Sequence, residues 1–474
     1  MLSILLISIA MHFKHFKKEL VGVHVWRQTQ TQSGINNFYE EDFNILNPKK
    51  NDRGAGDGIF RMEFPLMQWS VAAIYKIFGS HLILSRIFMF IVGLFSVFGM
   101  YKLLLSIFQN YKVALIAAWT FNFSPCFYYY TINPLPDNLA LCCSIWGLAF
   151  FFFWMNENSK KLLLLSGLFL CIGALCKLPF ILYYVVPASY FLREIIRKKE
   201  IRENAFSAFI IGCSAIIPLA WYIKVVPHWD GNGIVNGVLD NVVSVSTMLD
   251  YMQHNLISTL PELLINYGSV LFFIGGFYFL IKNKAYKNKS FSLFVILSIA
   301  ILFYFFFELN MIAKIHDYYL FPFYPLIFIL VSYGAYNMLK HPSNFVNKLT
   351  ILLFLVLPFT VYLRMHQRWD ENKPGFNADL LIYKNELRAA VPKEALCIAG
   401  NDESRFIYFY YIDKKGWGIN NDELVADTLS KMIKNGAKYL YSDSRKMDEK
   451  PEILPFLDKL ILEKGSIKVF SLKQ

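Results

Sequence analysis

Charge is what this sequence has least of. Only 17% of its 474 residues are charged, whereas 55% are hydrophobic and 17% are aromatic. A soluble domain usually carries about a quarter charged residues. The apolar residues are also gathered into long runs, and a helix needs about 20 of them to cross a bilayer core. This composition excludes an ordinary soluble domain and predicts an α-helical polytopic membrane protein.

Several motifs are missing as well. The seven cysteines lie mostly in or beside apolar runs and show neither CxxC nor Cys/His metal spacing, so we expect packing residues rather than disulfides or a zinc site. The stretch NDRGAGDG at 51–58 lacks the Lys-Ser/Thr of a phosphate-binding loop. The net charge of +12 comes from short basic loops that more often set topology, so we expect no nucleic acid partner. We find no internal repeat.

The apolar runs predict eleven membrane spans. They lie near 1–13, 81–108, 113–130, 136–155, 162–176, 178–192, 205–225, 267–281, 291–307, 318–338 and 349–364. The first run is short for a span and lacks the basic start and cleavage site of a signal peptide. Either its helix continues through Phe16 toward Leu20, or the true start lies upstream of Met1.

Basic residues assign the two sides of the membrane. With a cytoplasmic N-terminus, Lys and Arg cluster in the inner loops near 112, 160–161, 193–202, 282–289 and 340–348, while 226–266 contains neither. This is a positive-inside pattern. The loop 14–80 then lies outside although it is basic, which suggests an anionic ligand. The segment 365–474 also lies outside.

The chain changes character after the last apolar run. Short β-like runs at 395–399, 406–411, 439–441 and 467–472 alternate with helical patterns such as 421–435, and Gly436 is a plausible C-cap. We therefore predict a transmembrane domain over 1–364, including the first outer loop, and a small extracytoplasmic α/β domain over 365–474.

Ionisable residues at membrane helix ends that face one compartment are functional candidates. Glu63 stands just before Pro65 and is either a carboxylate favoured by a helix dipole or a general base facing an acceptor hydroxyl. Asp137 follows Pro136 at the start of a predicted helix, so it too is either a carboxylate favoured by the helix dipole or a functional residue. Arg27 either forks on a phosphate or pairs with an acid of its own loop.

Two further strings lie at the same predicted face. Lys177 interrupts apolar residues and either snorkels to the interface or binds a lipid phosphate. In HDYY at 316–319, an interfacial aromatic belt explains Tyr318 and Tyr319 but explains His316 and Asp317 poorly. Whether His24, Glu63 and His316 meet in space is left open by the sequence.

The strings together resemble a known family. They are HVWRQTQTQSGINNFYEEDFNILNP, EFPLMQW, LSRIFMFIVGLFSVFGMYKL, NPLPDNLAL and HDYYLFPFYPL. In this order they look like the bacterial GT-C glycosyltransferases, relatives of the dolichyl-phosphate-mannose protein mannosyltransferases and of the lipid A aminoarabinose transferase. The resemblance covers about 20–340, and YYIDKKGWGI and NGAKYL in the tail are similar to the outer domain of that branch.

The resemblance implies a GT-C architecture and a reaction at the outer face of a bacterial inner membrane. A sugar leaves a polyprenyl-phosphate carrier with inversion and joins a lipid, glycan or protein acceptor. Matched by position, Glu63 is the expected catalytic base. The expected substrate-binding residues are Arg27, Gln28, Asp57, Asp137, Lys177, His316 and Tyr319.

The first outer loop departs from the family pattern. Many relatives place an acid very early in this loop, whereas HVWRQTQT offers only His24 as a proton acceptor. His24 and Asp57 therefore stand behind Glu63 as alternative bases. The sugar, the acceptor and the participation of a divalent metal stay open, and no cofactor is assigned. The rival hypotheses are a transporter or flippase for lipid-linked saccharides and an inactive scaffold.

Overall fold

A helical bundle and a C-terminal sheet make up the computed structural model, which describes residues 1–198, 201–229, 237–239, 243–443 and 445–473. The bundle helices are α1 Leu2–His12, α2 Val25–Glu40, α3 Leu66–Phe78, α4 Leu82–Phe108, α5 Tyr111–Asn122, α6 Pro125–Tyr130, α7 Pro136–Glu157, α8 Lys160–Cys176, α9 Val185–Ile196, α10 Ile201–Val225, α11 Val245–His254, α12 Val270–Lys282, α13 Lys289–Phe307, α14 Leu309–Ile312, α15 Tyr324–Leu339 and α16 Asn344–Met365. Helix α7 packs between α4 and α8, and α12 packs against α15.

The helices long and apolar enough to span a membrane are fewer than the sequence predicted. Within the described residues there are six, or seven if Val245–Leu264 and Tyr267–Lys282, bent by 97°, form one span. Most other predicted runs are broken or short. Pro125 separates α5 from α6, and the run after Lys177 begins as the 3-10 helix Leu178–Tyr184, because proline cannot donate a backbone hydrogen bond. Helix α1 ends at His12 and does not continue to Leu20.

The C-terminal unit, residues 378–473, contains a five-stranded sheet in the order β2-β1-β3-β5-β4. Its elements are α17 Ala378–Ile382, α18 Lys384–Ala389, β1 Leu396–Gly400, α19 Ile407–Ile412, β2 Lys415–Ile419, α20 Ala426–Lys434, β3 Tyr439–Ser442, β4 Leu457–Lys464 and β5 Ile467–Leu472. Strands β2, β1 and β3 are parallel, whereas β5 runs antiparallel to β3 and β4.

One predicted strand of this unit is wrong and two strands were missed. Residues 407–412 form α19, with every residue buried, and a short continuous apolar run does not distinguish a buried strand from a buried helix. Strand β2 carries two glycines, and β4 is largely exposed, so neither shows a strong strand pattern. The predicted helix at 421–435 is shorter, α20, and Gly436 follows it with φ +99°, as a C-cap requires.

The Gly-rich stretch 51–58 packs against the C-terminal sheet. It lies along the free edge of β2, where Asp52 pairs with Gly416 in parallel and the Asp52 carboxylate accepts a 2.8 Å hydrogen bond from the Gly418 amide. The Arg53 amide donates to the Gly416 carbonyl at 2.9 Å. An uncovered strand edge invites pairing with other chains, so this loop closes the sheet and joins it to the bundle.

Acid should loosen this junction. Glu41 accepts hydrogen bonds from Arg53 and pairs with Lys49 and Lys415. Burial raises the pKa of Glu41, but Arg53 and Lys415 outweigh it and hold the pKa at about 2, below the ordinary 4.5. The resulting stability is present above pH 4.5 and is lost as the pH falls toward 2. Hydrogen exchange of residues 51–58, corrected for its intrinsic pH dependence, should accelerate over that window, whereas Glu41→Gln should exchange fast at every pH.

Helix α2 lies between the bundle and the C-terminal unit, which explains its buried polar face. The Gln28 amide donates to the Tyr129 hydroxyl at 3.1 Å, and the Gln32 amide donates to the Tyr75 hydroxyl at 3.0 Å. On its other side α2 packs against α19. Buried polar groups need such partners. The string HVWRQTQT therefore opens a helix held from both sides.

Candidate active site

The first part of the site is a buried ion pair on α2. Arg27, in the first turn of α2, contacts both the Glu63 carboxylate and the Gln30 side chain. Burial raises the pKa of Glu63, but Arg27 and then Lys177 outweigh it, so the pKa lies below its usual value. Glu63 is therefore ionised at neutral pH. Of the two alternatives for Arg27, pairing with an acid of its own loop is the one observed.

A second buried ion pair lies beside the first. Lys177 follows the end of α8, and its Nζ is 3.4 Å from Asp137 Oδ1 in the first turn of α7. The ammonium also lies 5.2 Å from the centroid of the Tyr319 ring, a cation–π distance. Lys177 is only 7% exposed, so it does not snorkel. We call Arg27, Glu63, Asp137, Lys177 and Tyr319 the paired-charge cluster.

Asp137 keeps one oxygen unused. Its Oδ2 is buried and has no hydrogen-bond partner among the described residues. A buried acceptor without a donor is costly, and such groups call for an explanation by strain, catalysis or a ligand. The paired-charge cluster can therefore accept a further hydrogen bond from a bound hydroxyl.

A second group adjoins it, and we call it the histidine cluster: His24, Tyr130, His316, Asp317 and Arg368. His24 precedes α2 in the left-handed conformation, with φ +54°, and its Nε2 donates to the Ile315 carbonyl at 2.9 Å. The same nitrogen is 3.7 Å from Asp317 Oδ1. Burial lowers the pKa of His24 to about 4, although Asp317 opposes this. His24 is thus neutral at pH 7.

Asp317, Arg368 and Tyr130 support His24, and none of the three was predicted as a site residue. Arg368 Nη1 donates to Asp317 Oδ2 at 3.0 Å, and the Tyr130 hydroxyl donates to Oδ1 at 2.7 Å. Asp317 was visible as an acid at a helix start, whereas Arg368 follows the last apolar run without any motif. Only the packing of α16, which Arg368 follows, against α6 brings Arg368 here.

His316 connects the two clusters. Its ring stacks on His24 with centroids 5.2 Å apart and meets the Tyr319 ring edge-on at 5.3 Å. It also meets the Trp26 ring edge-on at 6.3 Å. The structure therefore brings together most of the residues that the sequence singled out. These are His24, Arg27, Glu63, Asp137, Lys177, His316 and Tyr319.

Two expected substrate-binding residues lie elsewhere. Asp57 is exposed in the turn beside β2, where its carboxylate accepts a hydrogen bond from the Ile59 amide at 3.0 Å. It does not reach either cluster, because the Gly-rich stretch docks on the sheet. Gln28 points into the bundle and donates to Tyr129 and to the Val23 carbonyl, so its amide nitrogen serves packing.

Glu308 was missed altogether. It is buried just after α13, and burial raises its pKa to about 8, with Lys177 opposing the shift. Its carboxyl is therefore mostly protonated at neutral pH, next to the paired-charge cluster. No sequence pattern distinguishes it from an ordinary helix-end acid. Among the described residues, no group of three or more His, Cys, Asp and Glu is placed to hold a metal ion.

The comparisons with known proteins concern the family and the fold of the chain. Residues 63–222 match the model of the dolichyl-phosphate-mannose-protein mannosyltransferase family. This stretch includes Glu63, Asp137 and Lys177. No curated protein matches the chain by sequence.

Solved structures match over nearly the whole chain. ArnT from Cupriavidus metallidurans, bound to undecaprenyl phosphate, shares 12% identity at a TM-score of 0.69, covering 99% of this chain and 97% of that one. The oligosaccharyltransferase AglB from Archaeoglobus fulgidus, in complex with an inhibitory peptide and a dolichol-phosphate, shares 12% identity at a TM-score of 0.61, covering 94% and 69%. The fold of the chain is therefore that of the GT-C proteins, and the chain is similar to the dolichyl-phosphate-mannose-protein mannosyltransferases and to ArnT.

Proposed function

We propose that the protein is an inverting glycosyltransferase that moves a sugar from a polyprenyl-phosphate carrier to a lipid, glycan or protein acceptor. The observation that carries this proposal is the meeting of two buried ion pairs, Arg27–Glu63 and Lys177–Asp137, at one end of a GT-C bundle. Charges are removed from water only at a cost, and clustered buried charges are typical of functional sites.

Lys177 is suited to the leaving phosphate. When the sugar–phosphate bond breaks, negative charge builds up on the carrier phosphate, and a fixed cation in a buried site stabilises that charge. Asp137 and Tyr319 hold the ammonium in place. The chain's own contribution to this half of the reaction is thus a positioned positive charge.

Glu63 is suited to the acceptor. A carboxylate that is ionised at neutral pH can take the proton of an acceptor hydroxyl as that oxygen attacks the sugar carbon. Arg27 keeps Glu63 in this state, since without a cation burial would protonate it. Neutral His24, supported by Asp317, is the alternative base.

We also propose that the reaction takes place on the outer face of a bacterial inner membrane. Both clusters lie at the ends of α7, α8 and α16 that the basic loops assign to the outside. A cavity of about 300 Å³ lies at this end and is lined by His316, Asp317 and Arg368, which leaves room for a ligand beside the histidine cluster. The C-terminal unit packs on α2, and we propose that it lies on the same side.

Glu63→Gln should lower transfer by about a hundredfold or more, the usual contribution of a general base. The measurement is sugar transfer in proteoliposomes supplied with a panel of polyprenyl-phosphate sugars and a lipid extract from the source organism. The matched control is Asp42→Asn, a carboxylate of the same loop that is held by Asn44 and Asn47. It should transfer within about twofold of the wild type, as surface changes usually do.

The other outcomes separate the alternatives. Transfer that survives in Glu63→Gln keeps the enzyme class but moves the base to His24, since Asp57 lies away from both clusters. Labelled carrier lipid that crosses the bilayer without transfer would favour the transporter, which the reported matches do not support. If neither transfer nor transport is observed, the inactive scaffold is the remaining hypothesis.

A further inference from the structure

A further cavity lies outside the two clusters. It has a volume of about 590 Å³ and lies between the C-terminal unit and the first turn of α2. Its walls come from the loop after β1, the loop after β3, the start of α17 and Trp26. A volume of this size falls within the usual range of small-molecule sites, about 300–1,000 Å³.

The crevice lies at the carboxyl ends of β1 and β3, and open α/β sheets bind ligands at such a place. Strand β1 connects through α19 to β2 on one side, and β2 connects through α20 to β3 on the other side of β1. The helices α19 and α20 belong to separate cores on opposite sheet faces. The carboxyl ends of β1 and β3 therefore flank a topological switch point, and ligands bind in the crevice outside such a point.

Polar side chains from both loops line the crevice. After β1, Asn401 is held by two partners, because it donates to Asp443 at 3.2 Å and accepts from Arg445 at 2.8 Å. Glu403 is exposed and has no ion pair or hydrogen bond with any described residue. Ser404 is oriented by Asp402. The crevice thus offers fixed acceptors and donors together with one uncommitted carboxylate.

Trp26 supplies an aromatic wall and a link to the catalytic clusters. It is half-buried, lines the crevice and meets the His316 ring at 6.3 Å. Its indole N–H donates no hydrogen bond to any residue that the structure describes. An aromatic face with a free donor suits a ligand that presents both C–H and hydroxyl groups.

We propose that this crevice binds the saccharide part of the acceptor, and that the saccharide carries no acidic group. The inference rests on the proposed glycosyl transfer. Sugar rings stack their C–H faces on aromatic rings, and their hydroxyls bond to carboxylates and amides. The three carboxylates Asp402, Glu403 and Asp443 outnumber the one cation, Arg445, so a phosphate or uronic acid is repelled. Trp26 then places the acceptor next to His316.

A binding experiment tests the crevice without any transfer. The full chain in lipid nanodiscs is applied to an array of neutral, amine-bearing and acidic oligosaccharides. We expect neutral or amine-bearing glycans to bind, and Trp26→Ala and Glu403→Gln to weaken binding about tenfold, as the loss of one aromatic contact or one hydrogen bond does. The matched control is Glu394→Gln, an exposed acid of the same unit before β1 instead of after it. Trp26→Phe should restore part of the affinity.

Steady-state transfer separates this inference from the proposed function. The crevice variants should raise the acceptor KM about tenfold and leave the donor KM within about twofold. Suppose that the wild type binds glycans but transfers no sugar, and that the crevice variants abolish this binding. That result would refute the proposed function and support the crevice as a glycan-binding site. Transfer with an unchanged acceptor KM, or preferential binding of acidic glycans, would refute the crevice.

Discussion

Replacing Lys177 by methionine should lower the rate of sugar transfer by about 100- to 1,000-fold, the usual cost of losing one group that stabilises developing charge. Methionine keeps the length and apolar stem of lysine but removes the ammonium. The effect should fall on kcat rather than on the acceptor KM, because the phosphate gains its charge in the transition state. Transfer is measured in proteoliposomes at saturating acceptor.

The same change should also destabilise the protein. Asp137 is 2% exposed, and removing one partner of a buried ion pair costs about 3–5 kcal/mol. A loss of activity by unfolding must therefore be separated from a loss of chemistry. The double variant Lys177→Met with Asp137→Leu removes both charges, and replacing a buried pair by apolar residues is often neutral. We expect it to recover most of the thermal stability and none of the transfer.

The double variant makes the role of Lys177 testable. If stability and transfer both return, the ion pair serves packing alone and the phosphate is held elsewhere. If stability returns and transfer does not, the charged pair of Lys177 and Asp137 acts in the reaction and not in packing alone. Melting followed in detergent and transfer in proteoliposomes use the same purified samples.

Arg27→Met should move the acid limb of the pH–rate profile to higher pH. Burial raises the pKa of Glu63, and Arg27 is the first of the cations that lower it. Without Arg27 the pKa of Glu63 rises, so its carboxylate form is lost as the pH falls through a higher value. At slightly acid pH we expect a loss of about a hundredfold or more, since a protonated carboxyl cannot act as base, with partial recovery in alkaline buffer.

Arg27→Lys is the matched control. It keeps the charge but loses the fork that holds Glu63 and Gln30 together. We expect a profile close to that of the wild type, with a smaller loss of rate. A uniform loss at every pH in Arg27→Met would mean that Arg27 acts on the substrate, as the phosphate-fork alternative holds, and not through Glu63.

The sequence was most informative where residues near to each other in the chain decide the structure. Every predicted apolar run became helical, since length and hydropathy are local properties. The break between α5 and α6 at Pro125 and the 3-10 helix that contains Pro179 could be anticipated only in part, because proline breaks some helices and begins others. The segment 406–411 was predicted as a strand, whereas residues 407–412 form the buried helix α19. Burial on every side removes the alternation that distinguishes strand from helix.

The partners of the charged residues could not be predicted from the sequence. The sequence offered Glu63 and Lys177 as candidates because acids and bases are rare in such a chain, yet it could not pair them. The pairing of Arg27 with Glu63 spans 36 residues, and that of Lys177 with Asp137 joins the ends of two antiparallel helices. Asp57, which stood behind Glu63 as a candidate base in the sequence, lies away from both clusters because its loop docks on β2.

By itself the sequence determined the membrane class, the places of the long apolar helices and the end of the bundle where polar residues gather, but not helices α2, α3 and α11, which lie in predicted loops. Hydropathy and the positions of Lys and Arg are local properties that can be read directly from the sequence. Only the tertiary structure decided that Arg368 and Asp317 support His24, that Glu308 is buried beside Lys177, and that Trp26 borders a crevice of the C-terminal unit. These contacts join segments far apart in the chain, and their partners follow from packing, which no local pattern encodes.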